Sequence, residues 1–86
     1  MNINKLNAII KKKLKQNIEV EKIIIEDKSY LHKNHSGNQE GKFHLKILLK
    51  SKELHKMSKI DSNKKVYSIL NEELKQFIHS IQLFIH

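Results

Sequence analysis

The strictest constraint in this 86-residue chain is a period of two near its middle. Phe43, Leu45, Ile47 and Leu49 alternate with His44, Lys46, Leu48 and Lys50. Successive side chains of a strand point to opposite faces, so this segment reads as a half-buried strand whose wet face carries His44. Its apolar row has to be covered by other parts of the chain. Residues 18–27, Ile-Glu-Val-Glu-Lys-Ile-Ile-Ile-Glu-Asp, are rich in β-branched types and predict a partner strand. The polar stretch 28–41 between them makes a long-looped antiparallel hairpin. Over 33–41 it has no apolar side chain to anchor it, and it is expected to move.

Helices supply the cover. Ile3, Leu6, Ile10 and Leu14 recur at spacings of three and four, which predicts a helix over 2–17 with Asn2 as N-cap and Asn17 as stop. Lys11, Lys12, Lys13 and Lys15 load its last turns, where cations complement the helix dipole. Residues 51–60 read as a polar connection. A second helix is expected over 61–76, with Val66, Tyr67, Leu70 and Leu74 on one side, Ser58 and Asp61 as a capping box, and Glu72 and Glu73 in solvent. Residues 78–86 read as a third strand. The order α-β-β-α-β defines one α+β domain over 1–86.

Composition narrows the function. There is no Cys, hence no disulfide, no zinc–thiolate site and no cysteine nucleophile. No uninterrupted apolar run exceeds three residues, against the roughly 20 of a membrane span. No small-residue cleavage site follows Ala8-Ile9-Ile10, so a soluble cytoplasmic module with no membrane partner is expected. The net charge of +8 comes from seventeen Lys and no Arg, and Lys, Ile and Asn make up 38 of the 86 residues. An AT-rich coding bias at solvated positions accounts for such a surface. Lysines alone give point contacts to phosphate but little bidentate base reading.

Catalytic signatures are lacking: there is no Gly-rich phosphate loop, no serine in an elbow context and no matched carboxylate pair. An enzyme is not expected. Histidine is the informative residue, with six in the chain. His32 and His35 share the loop, His44 lies on the second strand, and His79 begins the third. Without thiolates, this chain offers a metal only nitrogen and oxygen ligands. His55 and His86 follow no pattern and are expected at the surface.

Four blocks in register resemble the BolA family. Asp27-x-Ser29-x-x-His32-x-x-His35-x-Gly37 resembles its loop signature, and Phe43–Ser51 its His-Phe-Lys-Val strand. Val66-Tyr67-x-x-Leu70-x-x-Glu73-Leu74 resembles its Val-Tyr helix, and Ile78-His79-Ser80-Ile81 its closing Val-His-Ala-Leu strand. The resemblance implies a class II KH-like fold, a small mixed sheet packed against helices. It also implies partnership with a monothiol glutaredoxin, in which the two proteins and glutathione share a [2Fe-2S] cluster, with no cofactor held alone. His79 would be one ligand and His32 or His44 the second, with His35 a weaker candidate. Nitrogen ligands raise the potential of such clusters.

Two departures stand out. Ser62-Asn63-Lys64 replaces the family's Arg-His-Arg, and Leu54-His55-Lys56 replaces its Phe-x-Gly. The first weakens the alternative function that the resemblance carries, a DNA-binding transcriptional regulator. That reading would rest on Lys59, Lys64 and Lys65, and the KH Gly-x-x-Gly clamp on backbone nucleotides is absent. DNA binding is therefore expected to be weak and non-specific. A zinc-only histidine site is a third reading. The leading one is an adaptor in iron–sulfur cluster assembly, trafficking or iron regulation, monomeric or weakly dimeric when free.

Overall fold

The computed structural model describes residues 1–29 and 42–86. The expected loop lies largely outside them, as do His32 and His35. Helix α1 (Ile3–Asn17) starts where Asn2 Oδ1 accepts the Lys5 N–H at 2.8 Å. It ends as Ile18 turns extended. Strand β1 (Lys22–Asp27) is shorter than expected, because residues 18–21 close the helix and lead into the sheet. Strand β2 (Phe43–Lys50) pairs antiparallel with β1, joining Ile23 to Leu49 and Asp27 to Leu45. The hairpin is as expected.

The connection after β2 contains a one-turn helix, α2 (Lys52–His55), capped by Ser51. The single helix expected over 61–76 is two: α3 (Lys59–Ile69) and α4 (Asn71–Gln76). Ser58 Oγ caps α3 through the Asp61 N–H at 3.1 Å. The break falls at Leu70, where no glycine or proline marks it, and hydrogen bonding continues through Leu70 N–H to Val66 O and Leu74 N–H to Leu70 O. Strand β3 (Ile78–Ile85) then pairs parallel with β2, giving a three-stranded mixed sheet of order β1-β2-β3.

One face of the sheet meets the helices. Leu45, Ile47 and Leu49 of β2 pack with Leu6, Ile10 and Leu14 of α1, Leu54, Val66, Leu70 and Ile78 to form the core. A part-buried ion pair ties the helical layer together. Glu73, expected in solvent, is 5% exposed, and its carboxylate takes the Lys13 ammonium at 2.8 and 3.0 Å. The hydrogen bond that Lys13 donates to Glu73 is the main reason that the Lys13 pKa lies above the ordinary value. Glu73 stands three residues after Leu70 and seven after Val66, so helical period sets it on their buried face, where it meets Lys13.

Candidate functional site

The polar corner of the molecule is built around a flaw in the β2–β3 ladder. Phe43 pairs with Ile78, but His44 pairs with Ser80, so His79 is an extra residue with no partner across the ladder. A bulge of this kind re-aims a side chain. Pairing continued from Phe43–Ile78 would have set His79 opposite His44; the bulge gives that place to Ser80, and the His79 ring lies beside the His44 ring, centroids 4.7 Å apart and planes at 36°. His79 is exposed. The parallel bulge has no sequence signal, and the adjacency of the two rings could not have been read from spacing.

His44 corrects the expectation of a wet face at that position: it is 5% exposed. Its Nδ1 lies 2.7 Å from Ser80 Oγ. With the imidazole proton on Nε2 the serine hydroxyl donates this bond; with the proton on Nδ1 the ring donates it. The His44 backbone is pinned as well. Its N–H donates to Ser29 Oγ at 3.1 Å and its carbonyl accepts from the Lys28 N–H at 2.7 Å. Ser29 is itself set by its N–H donating to Asp27 Oδ1 at 2.9 Å. The Asp27-x-Ser29 pair of the sequence signature therefore acts on the backbone at His44, a role its spacing did not reveal.

Chemically, the corner offers two imidazoles near enough to reach one metal ion, one held rigid by a hydroxyl and one presented to solvent. Fixing a histidine through its second ring nitrogen is how proteins orient metal ligands. The described residues bring together no group of three or more His, Cys, Asp or Glu. Two nitrogens are half of what a closed structural zinc site needs.

The basic residues fare differently. Lys59 and Lys64 are exposed on α3, but five residues apart they stand about 140° around the helix axis and form no single stripe. Lys65 Nζ is bonded to Glu53 at 2.6 Å, so much of its charge is spent within the fold. Among the described residues no helix is long and apolar enough to cross a membrane.

The fold and the corner define a class: a small α+β module with helices on one face of a β1-β2-β3 mixed sheet and a histidine pair at the bulged end of its parallel ladder. A family model described as BolA-like protein matches residues 14–86, and the chain belongs to the BolA family. It is 28% identical over 80 residues to the DNA-binding transcriptional regulator BolA of Haemophilus influenzae, covering 93% of this chain and 75% of that protein. It is 29% identical over 77 residues to the chloroplastic protein BOLA1 of Arabidopsis thaliana, covering 86% of this chain and 48% of the relative. The solved structure of BolA1 from Arabidopsis thaliana superposes with a TM-score of 0.74 at 27% identity, covering 91% of this chain and 86% of that one. The BolA domain of SufE1 from the same plant superposes at 0.76 with 21% identity, covering 99% and 92%.

Proposed function

We propose that this protein is a non-enzymatic adaptor that binds a monothiol glutaredoxin and shares a [2Fe-2S] cluster with it, in iron–sulfur cluster assembly, trafficking or iron regulation. The observation that carries the reading is the exposed His79 ring set 4.7 Å from the buried, Ser80-bonded His44. His79 supplies one nitrogen. The second comes from His44 or from His32 of the loop, with His35 the weaker candidate. If His44 ligates, the Ser80 hydroxyl at its Nδ1 helps to fix the orientation of the ring. The remaining ligands are thiolates of the glutaredoxin and of glutathione, which this cysteine-free chain lacks.

The test is reconstitution with a monothiol glutaredoxin, glutathione, iron and sulfide, followed by visible absorption and circular dichroism. His79→Ala is expected to abolish the spectrum of the mixed cluster while changing stability by less than about 0.5 kcal/mol, as exposed positions do. His44→Ala and His32→Ala are expected to split, one abolishing the spectrum and the other sparing it. A wild-type spectrum from all three variants refutes the ligand set.

A second reading, a DNA-binding regulator, is favoured by the 28% identity to the Haemophilus influenzae protein of that description. On this surface it would rest on Lys59 and Lys64, with Lys65 contributing less. Phosphate contacts of that kind lose affinity steeply with salt and carry little sequence preference. Discrimination between duplexes by about a thousandfold, the scale of specific binders, is the result that would favour it.

A further inference from the structure

The two edges of the sheet are unlike. Strand β1 carries Lys22, Glu26 and Asp27 among its six residues. Charges of this kind keep an edge from pairing with other chains. Strand β3, Ile-His-Ser-Ile-Gln-Leu-Phe-Ile, is the other edge and has no Lys, Asp, Glu or Pro in eight residues.

The direction of its backbone groups follows from its inner pairing. The His86 N–H donates to Leu49 O at 2.9 Å and the His86 carbonyl accepts from the Ser51 N–H at 3.1 Å. Alternate residues of a strand turn their backbone groups to opposite sides, so those of Leu83 and Ile85 point outward. The Ile81 carbonyl, next in that outward series, is taken by the Tyr67 hydroxyl at 3.3 Å. Beyond it, Leu83 and Ile85 have no backbone partner among the described residues.

A groove of about 400 Å³ runs beside this free edge, between α2, the start of α3 and the end of β3. Leu54, Met57 and Leu83 give it an apolar wall, and Lys59 and His55 stand on it with no acidic residue among those that line it.

We propose that the outer edge of β3 at Leu83–Ile85 accepts an added strand from a protein partner, an extended acidic segment that places an apolar side chain in this groove. Free alternating N–H and C=O groups are complementary to an extended polypeptide, and a pocket under alternate residues gives such strand addition its specificity. The sign of the partner follows from charge. The Lys59 rim and the net charge of +8 attract an acidic segment and oppose β3-to-β3 pairing of two copies. Leu83 is four residues from His79, about 13 Å along the strand, so the groove stands apart from the histidine corner.

The experiment uses the full chain, isotopically labelled with ¹⁵N, titrated with the blocked peptide acetyl-Glu-Val-Glu-Ile-Glu-Val-Glu-amide. Expected are amide shifts centred on Leu83, Ile85, Met57 and Lys59. Methylating alternate peptide nitrogens should weaken binding about tenfold, the worth of one or two net backbone hydrogen bonds. Lys59→Glu should weaken it measurably, with the rest of the spectrum and cluster reconstitution with glutaredoxin unchanged. Equal binding of the methylated peptide, shifts confined to another face, or no shifts at millimolar peptide overturn the proposal. So does an oligothymidine that binds at these amides while the peptide does not, or concentration-dependent self-association through the same amides.

Discussion

Strand β2 ends in a buried polar residue at each end, and the two are put to different uses. At its start, His44 is 5% exposed; just past its end, Ser51 is 0% exposed. Ser51 is enclosed by backbone. Its hydroxyl donates to Glu19 O at 2.6 Å and accepts from the Leu54 N–H at 3.2 Å, while its own N–H donates to His86 O. One side chain thereby joins the α1–β1 turn to α2, and its backbone reaches β3. His44 is pinned by backbone too, but its ring faces a hydroxyl and a second, exposed imidazole. A buried polar group whose partners are all main chain holds the fold; a buried ring held beside an exposed imidazole is what the proposed function uses as a site.

The sharpest way to break this contrast is Ser51→Ala. It removes the cap of α2, worth about 1 kcal/mol, and the part-buried hydrogen bond to the Glu19 carbonyl, worth about 1 kcal/mol. A destabilisation of about 1–2 kcal/mol is expected from urea denaturation, with cluster formation by the surviving folded protein unchanged. A loss below about 0.5 kcal/mol would mean that Ser51 is not a structural joint. At the other end, Ser80→Ala should cost about 1 kcal/mol or less, because Ser80 is exposed. Its effect belongs to the site: the His44 ring loses its orienting bond, and the affinity of the mixed cluster should fall about tenfold, as when outer partners of metal-bound histidines are removed. Chelator competition measures it. An unaltered affinity would separate His44 from the site.

Much of the framework was legible in the residues. The alternation at Phe43–Lys50 and the spacing of Ile3, Leu6, Ile10 and Leu14 each identify an element and its buried face, because both report a period the backbone itself imposes. Asn2 and Ser58 were legible as caps for the same reason: the orphan N–H groups of a helix start are local. What was hidden depends on distant pairs. Glu73 looks like any helical carboxylate until the helical layer assembles and sets Lys13 of α1 beside it. The bulge at His79 comes from how β2 and β3 meet, and no residue announces it. Period alone places His44 on a wet face, and it takes no account of the tertiary contacts that its ring makes with Ser80 and His79. The four family blocks singled out His79 and His44 together, although what makes them neighbours is not local to either.

The smallest expected effect concerns pH, and it again separates the two ends of β2. Near Ser51, the Glu53 carboxylate accepts from Lys65 Nζ at 2.6 Å and from the Glu19 N–H at 3.1 Å. The hydrogen bond from Lys65, then that from the Glu19 backbone, hold its pKa below the ordinary 4.5. Near His44, Glu26 is lowered too, chiefly by the hydrogen bond from Lys28 two residues away. A carboxylate lowered on folding stabilises the folded state above its unfolded pKa, and that contribution is lost as pH falls through the folded value. Both contributions are therefore present at pH 7 and fade below 4.5. Glu53 bridges α1–β1, α2 and α3, whereas the Glu26 pair is local and does not hold separate elements together. The urea midpoint of Glu53→Gln should lie below that of the wild type at pH 7, and the gap should narrow as pH falls below 4.5 and the carboxylate is protonated. Glu26→Gln should show a smaller gap with the same sign. A Glu53→Gln gap that stays constant from pH 7 to about 3 would show that the carboxylate charge contributes nothing to the joint at Ser51.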